Sequence, residues 1–229
     1  MTGFAAGSRT AWAIAAKDLT VELRGRQALT STLFFAALVL LLFGFALGPD
    51  PARMRAVAPG LLWLAVTFAG LLAVARIHLI ELEDGALEQL ALAPVSRRAV
   101  YAGKALFGAA VMAALAAVTI PLLALLYDVD VAAGWLPLTL TAVLGILGFA
   151  AVGTFYGALT VRLRSREVML PLLMLPVVAP LLLAAVKATS AALDGDPMGQ
   201  QWSWIQLLAG FDVIMLVVCG GTYGYLLDD

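Results

Sequence analysis

Four carboxylates, Glu81, Glu83, Asp84 and Glu88, fall within eight residues of one segment, RIHLIELEDGALEQLALAPVSRRAVYAGK, from Arg76 to Lys104. Intramembrane hydrolases and proteases set paired carboxylates, or Ser with His, at membrane depth, where they meet substrate. Here the acidic cluster sits between apolar stretches, and only Asp212 interrupts one. The other reactive side chains are single. One cysteine, Cys219, excludes an internal disulfide and an iron–sulfur cage, and one histidine, His78, excludes a multi-histidine metal site or a di-heme core. No C-x-x-C-H heme attachment site and no G-x-x-x-x-G-K-[ST] loop occurs, so the chain has no Walker motif for ATP.

The elements that must position these residues follow from composition. Of 229 residues, 63% are hydrophobic and 13% charged, too few charges to cover a soluble globule of this size. A soluble enzyme, a disulfide scaffold and a disordered chain are excluded. Charges instead bound long neutral runs. Between Arg26 and Asp50 lie 23 uncharged residues, enough for a helix across a hydrocarbon core of roughly 30 Å at about 1.5 Å per residue. The fold class is an all-α polytopic membrane protein of one transmembrane domain, residues 1–229. Its six spans are expected near 28–48, 56–75, 104–127, 137–161, 168–187 and 207–227. Trp135 and Pro137 set the start of the fourth, since Trp suits the interface and Pro the first helical turn.

Lys and Arg give the orientation. Eleven lie in the N-terminal tail and in the connections after spans two and four, against Arg53, Arg55 and Lys187 on the other side. The bias puts the N-terminus in the cytoplasm, and six spans return the C-terminus to it. The tail is no signal peptide, because Lys17, Asp18, Glu22 and Arg24 interrupt it. Trp12, Ala16, Leu19 and Leu23 recur at helical spacing, which predicts an amphipathic helix lying in the interface.

Within the acidic segment, residues 78–98, Asp84–Gly85 opens a short helix, with Asp as N-cap and Glu88 in the first turn. Leu87, Leu90 and Ala91 form its apolar stripe and Pro94 ends it, after which Ser96 caps a helix through Arg97, Arg98 and Lys104 into span three. An anionic leaflet repels four carboxylates, so a protein partner fits this helix better than lipid headgroups do. His78 reads as an exposed residue of this interface rather than an axial ligand, and Cys219 as a small packed hydrophobe. Pro171, Pro176 and Pro180 should kink or break span five. Asp212 is an intramembrane carboxylate, a functional-site candidate by default. Counted from Leu207, however, it lies near the N-terminal end of its span, where it would complement the helix dipole, with Trp202 and Trp204 in an interfacial or re-entrant segment before it. Gly44/Gly48, Gly153/Gly157 and Gly220/Gly224 are pairs suited to close helix packing.

The run E-x-E-D-G-A-L-E-Q-L-x-L-x-P-V-S-R, from Glu81 to Arg97, followed by Gly103–Lys104, resembles the signature of ABC-2-type transporter permeases. The resemblance implies a coupling helix that contacts a separate ATPase subunit, with Glu81, Glu83, Asp84, Gly85, Leu87, Glu88, Leu90, Pro94 and Arg97 as the contact residues. Over almost the whole chain the sequence is similar to the heme exporter B family (CcmB), the permease subunit of the cytochrome c maturation complex. The matching stretches are Gly48–Pro49–Asp50, Ala58–Pro59–Gly60 with Leu61–Leu62–Trp63, Asp130–Val131 with Gly134–Trp135, and Leu175–Pro176 with Pro180–Leu181–Leu182. This resemblance implies a bacterial inner-membrane complex of two permease chains, two ATPase subunits, a heme-handling membrane protein and a small accessory subunit. It couples ATP hydrolysis to heme delivery for c-type cytochrome assembly, with heme a transported or handled ligand rather than one bound by any motif here. The chain itself is not expected to be an enzyme, and no nucleic acid partner is expected. Two alternatives stay open: an ABC-2-type exporter of a lipid, polysaccharide or drug, and a non-transporting membrane scaffold.

Overall fold

A computed structural model describes residues 2–25, 27–83, 96–132, 134–161, 163 and 165–228. Among these residues the regular structure is helical throughout: α1 (Thr2–Gly25), α2 (Gln27–Leu47), α3 (Pro51–Glu83), α4 (Arg97–Tyr127), α5 (Trp135–Thr160), α6 (Arg166–Asp194) and α7 (Gln201–Asp228). The helices α2 to α7 are each long and apolar enough to cross a membrane. The protein is thus an all-α, multi-pass membrane protein. Here the membrane side bearing the N-terminus is called the near side.

The connections show why the chain turns where it does. Gly48 takes φ +71° after α2, a left-handed conformation that glycine adopts without penalty. Asp50 Oδ1 then accepts the Arg53 N–H at 3.2 Å, and Pro51 opens α3, where its missing N–H is no loss. On the same far side, Arg55 holds Asp128 at the end of α4 through both the carboxylate (2.6 Å) and the main-chain carbonyl (2.8 Å). After α6, Gly195 at φ +75° closes the helix, and Asp196 accepts the N–H groups of Gln200 and Gln201 at the start of α7.

α3 is the most enclosed span and α2 the least. The core runs between α3, α4, α5, α6 and α7, through Trp63, Met112, Leu115, Phe149, Met174, Leu181 and Leu208. Trp63 donates its indole N–H to Thr189 Oγ1 at 2.9 Å across α3 and α6, which satisfies both groups in the interior. Tyr127 likewise donates to the Leu40 carbonyl at 2.8 Å, tying α4 to α2. Outward-facing Phe34, Leu42, Phe45 and Leu125 form the surface such a protein offers to lipid.

Several helix limits differ from the charge-based expectation. α3 continues past Arg76 to Glu83 and α7 begins at Gln201 rather than Leu207, whereas α4 begins at Arg97 behind the Ser96 cap, as expected. α6 runs unbroken through Pro171, Pro176 and Pro180. Packed neighbours can carry a helix through prolines in a membrane, where any other backbone path would strand more polar groups.

α1 packs on α4. Its inward face carries Ala11, Ala15, Asp18 and Glu22, while Trp12, Ala16 and Leu23 point away from the protein. Leu19, the remaining residue of the predicted stripe, instead packs against Ala15, Ala73, Ile77, Phe107 and Val111, so the stripe is only partly outward. Glu22 has a task the sequence did not announce: its Oε1 accepts the Leu29 N–H at 2.9 Å in the first turn of α2. A carboxylate there satisfies a backbone donor left free by the helix and complements the dipole. Glu22→Ala is expected to lower stability by about 1–2 kcal/mol, the scale of a lost cap, and Glu22→Gln by less. Thermal unfolding in detergent checks the order of the two variants.

Candidate functional site

The near-side end of the bundle is built from the last turns of α3 and the first turns of α4. Glu81 and Glu83 lie on the closing turn of α3, so this acidic stretch begins as a rigid extension of a core helix. Asp84, Gly85, Leu87, Glu88, Leu90 and Pro94 fall outside the described residues. Arg97 begins α4, immediately after Ser96, whose Oγ accepts the Ala99 N–H at 3.2 Å. The two helices thus present both ends of the predicted coupling segment on one side of the membrane.

His78 departs from its expected place. It is buried, at 5% exposure, not displayed at the interface. Its Nδ1 donates to the Val74 carbonyl at 2.9 Å, since a carbonyl can only accept. The ring lies where a Cβ on Gly157 would stand, so the glycine in α5 is what admits it. Lys104, counted among the cytoplasmic charges, is buried as well, two turns inside α4. One turn of contact explains it: a Cβ on Gly103 would meet the Ala11 carbonyl and Ile14, so α1 lies close over this part of α4. His78 and Lys104 line the same small cavity between α3, α4 and α5, with Gly70, Met112 and Thr154.

Asp212 requires the largest correction. Because α7 starts at Gln201, Asp212 stands eleven residues into the helix, about 16 Å along its axis and near the middle of the membrane. It caps nothing. Trp202 and Trp204 are in the first turn of the same continuous helix, not in a re-entrant segment. The buried residues of α7, Gln201, Ile205, Leu208, Asp212, Cys219 and Tyr223, recur at three-, four- and seven-residue spacing along one inward seam. Asp212 is 4% exposed, faces Gly148 of α5 beside Leu181 of α6, and neither carboxylate oxygen meets a donor among the described residues. A Cβ on Gly148 would collide with Asp212 Oδ1, so the glycine makes room for the carboxylate. The seam spacing is present in the sequence and is enough to place Asp212 inside.

Farther toward the near side, Cys219 is buried in a cluster with Val100, Tyr101, Ala105 and Tyr223. Tyr101 donates to the Ala151 carbonyl at 3.0 Å and stands 5.3 Å from the Tyr223 ring. Of the paired glycines, all but Gly48 serve contacts within the chain. Gly153 and Gly157 seat Val74 and His78, Gly220 and Gly224 seat Tyr101 and Arg97, and Gly44 lies under the Tyr127 hydroxyl.

Fold and interior together define a class: a six-span helical membrane protein with an N-terminal helix packed on α4 and a buried carboxylate at mid-span. Within that class the chain belongs to the CcmB family; the family described as CcmB protein matches residues 9–224. The chain is similar to heme exporter protein B of Rhodobacter capsulatus, 33% identical over 183 residues, covering 80% of this chain and 84% of that protein. The protein of the same name from Haemophilus influenzae is 33% identical over 189 residues, covering 81% and 83%. That of Escherichia coli K12 is 36% identical over 191 residues, covering 79% and 82%.

Proposed function

We propose that this chain is the permease subunit of an ABC transporter complex in which a separate ATPase subunit drives heme export or delivery for c-type cytochrome assembly. The observation that carries the reading is the family match from residue 9 to residue 224, which spans all six membrane helices. The relatives named heme exporter protein B supply the heme. The chain has no Walker loop of its own, so ATP hydrolysis falls to a partner.

In this reading the domain sits in a bacterial inner membrane with both termini in the cytoplasm, following the Lys and Arg bias. The ATPase docks on Glu81, Glu83, Asp84, Gly85, Leu87, Glu88, Leu90, Pro94 and Arg97. Extension of α3 to Glu83 gives that dock a direct mechanical link, since a push on Glu81 or Glu83 is carried along a continuous helix into the core. Two permease chains, a heme-handling membrane protein and a small accessory subunit complete the complex. Heme is cargo, and no residue here is assigned as its ligand. Asp212 is assigned to the conformational cycle, as an intramembrane carboxylate that meets no donor among the described residues.

Two experiments test this. Deletion of the gene should abolish heme-stained c-type cytochromes, with restoration by the intact chain; normal cytochromes in the deletion strain would remove heme from the proposal. Charge reversal at Glu81, Glu83, Asp84 and Glu88 to Lys should reduce co-purified ATPase at least about tenfold, because like-charge juxtaposition at an interface costs several kcal/mol. Full ATPase recovery with that variant would move the dock elsewhere.

A further inference from the structure

Alongside the near-side contact of α4 with α7, and against Leu147 of α5, lies a lateral groove of about 550 Å³. Arg98, Ala102 and Leu106 line it along α4, and Leu216, Gly220 and Gly221 along α7. Small residues keep it open: a Cβ on Gly221 would meet nothing within 4 Å. Its polar content is confined to one end. The Tyr101 hydroxyl, also in the lining, is already committed to the Ala151 carbonyl. Arg98 is exposed and makes no hydrogen bond or ion pair among the described residues.

This distribution selects an occupant. The charged end carries a guanidinium, which suits a phosphate through paired N–H donors. It also lies in the first turn of α4, where the helix dipole favours an anion. Beyond Arg98 the α4 wall is formed by Tyr101, whose hydroxyl is already bonded, and by Ala102, Ala105 and Leu106, reaching about 12 Å from Arg98 at helical rise, a good part of one leaflet's depth. A free phosphate would leave that wall unused. A neutral apolar chain would leave Arg98 unmatched. We infer that the groove binds an anionic phospholipid of the near-side leaflet, its phosphate on Arg98 and the start of α4, and one acyl chain between Ala102–Leu106 and Leu216–Gly221. The site takes its occupant from the surrounding bilayer and does not depend on which substrate the complex moves.

The test uses the full chain, purified in detergent and examined by native mass spectrometry after exchange with phosphatidylglycerol or phosphatidylcholine. The intact protein should retain phosphatidylglycerol selectively. Arg98→Ala should weaken that retention about fivefold, the effect of one basic residue at an anionic surface, and Arg98→Lys should keep most of it. Gly221→Phe, which fills the groove, should lose phosphatidylglycerol while eluting as the intact protein does. Excess inorganic phosphate should not displace the lipid. Equal retention of the two lipids, or unchanged retention in Arg98→Ala, overturns the proposal. So does displacement by inorganic phosphate, which would identify a free-anion site. Retention surviving Gly221→Phe, with or without a change in oligomeric state, overturns the acyl-chain placement and with it the site.

Discussion

Gly134→Ala is expected to destabilise this protein by about 3 kcal/mol or more, at or above the top of the usual overpacking range. The glycine sits at φ −112° and ψ 29°, a conformation open to any residue, so backbone freedom is not why it is there. Room is. A Cβ at this position would collide with the Ala192 carbonyl oxygen and lie 2.9 Å from its carbon. Those atoms belong to the backbone of α6, and no side-chain rotamer relieves the contact. The start of α5 and the end of α6 would have to separate on the far side of the membrane, loosening the core between them. Gly210→Ala is the control, being the same chemical change in a helix interior with nothing within 4 Å of the new methyl. It should raise stability by up to about 1 kcal/mol through helix propensity. Thermal unfolding in one detergent, compared for the two variants, reads the difference directly. Similar melting for both would mean that the α5–α6 contact yields easily, and that Gly134 is not what holds those helices close.

Gly134 also shows where the amino-acid sequence stops being legible. It belongs to a stretch, Asp130–Val131 with Gly134–Trp135, that carries the family resemblance, yet nothing in the sequence says it abuts Ala192. The neutral runs between charges are enough to expect six spans, because water-to-lipid transfer penalises every charge and few are present. They are a poor guide to helix ends. A charge marks where the membrane stops, whereas a helix continues as long as its residues and neighbours allow. Thus α3 passes Arg76, and Trp202 and Trp204 belong to α7.

The same distinction governs the site residues. His78 reads as exposed, and Lys104 as one of the cytoplasmic-side charges, because charged and polar residues beside a span usually face water. Gly157 and the covering helix α1 put them inside, and long-range packing of that kind leaves no local signal. Glu22 looks like one more polar-face residue, and its bond to the Leu29 N–H depends on how α1 turns into α2. Asp212 is different. The spacing of Gln201, Ile205, Leu208, Asp212, Cys219 and Tyr223 encodes its seam in plain view, and only the assumed start of the helix at Leu207 hides it.

Asp212→Leu is expected to stabilise the protein and to impair it. Leucine has the same branched outline as aspartate, so it keeps the volume beside Gly148 and Leu181 while removing two buried oxygens that meet no donor among the described residues. Relief of an unsatisfied buried group is worth about 1–3 kcal/mol, and more for a charged one, so unfolding in detergent should move to higher temperature. In the proposed complex the same variant should lower c-type cytochrome yield, because a polar group kept at mid-membrane against its stability cost is retained for activity. Gly148→Ala separates shape from polarity. Its methyl would press on Asp212 Oδ1 and on Leu181 Cδ1 at 2.8 Å, so it should destabilise alone. It should recover partly with Asp212→Ala and not with Asp212→Leu. A loss of stability in Asp212→Leu would mean that the carboxylate has a structural partner in the membrane. A gain in stability with undiminished cytochrome assembly would leave Asp212 without a role in the cycle. Opposite signs in the two measurements are what a buried carboxylate with no donor among the described residues predicts.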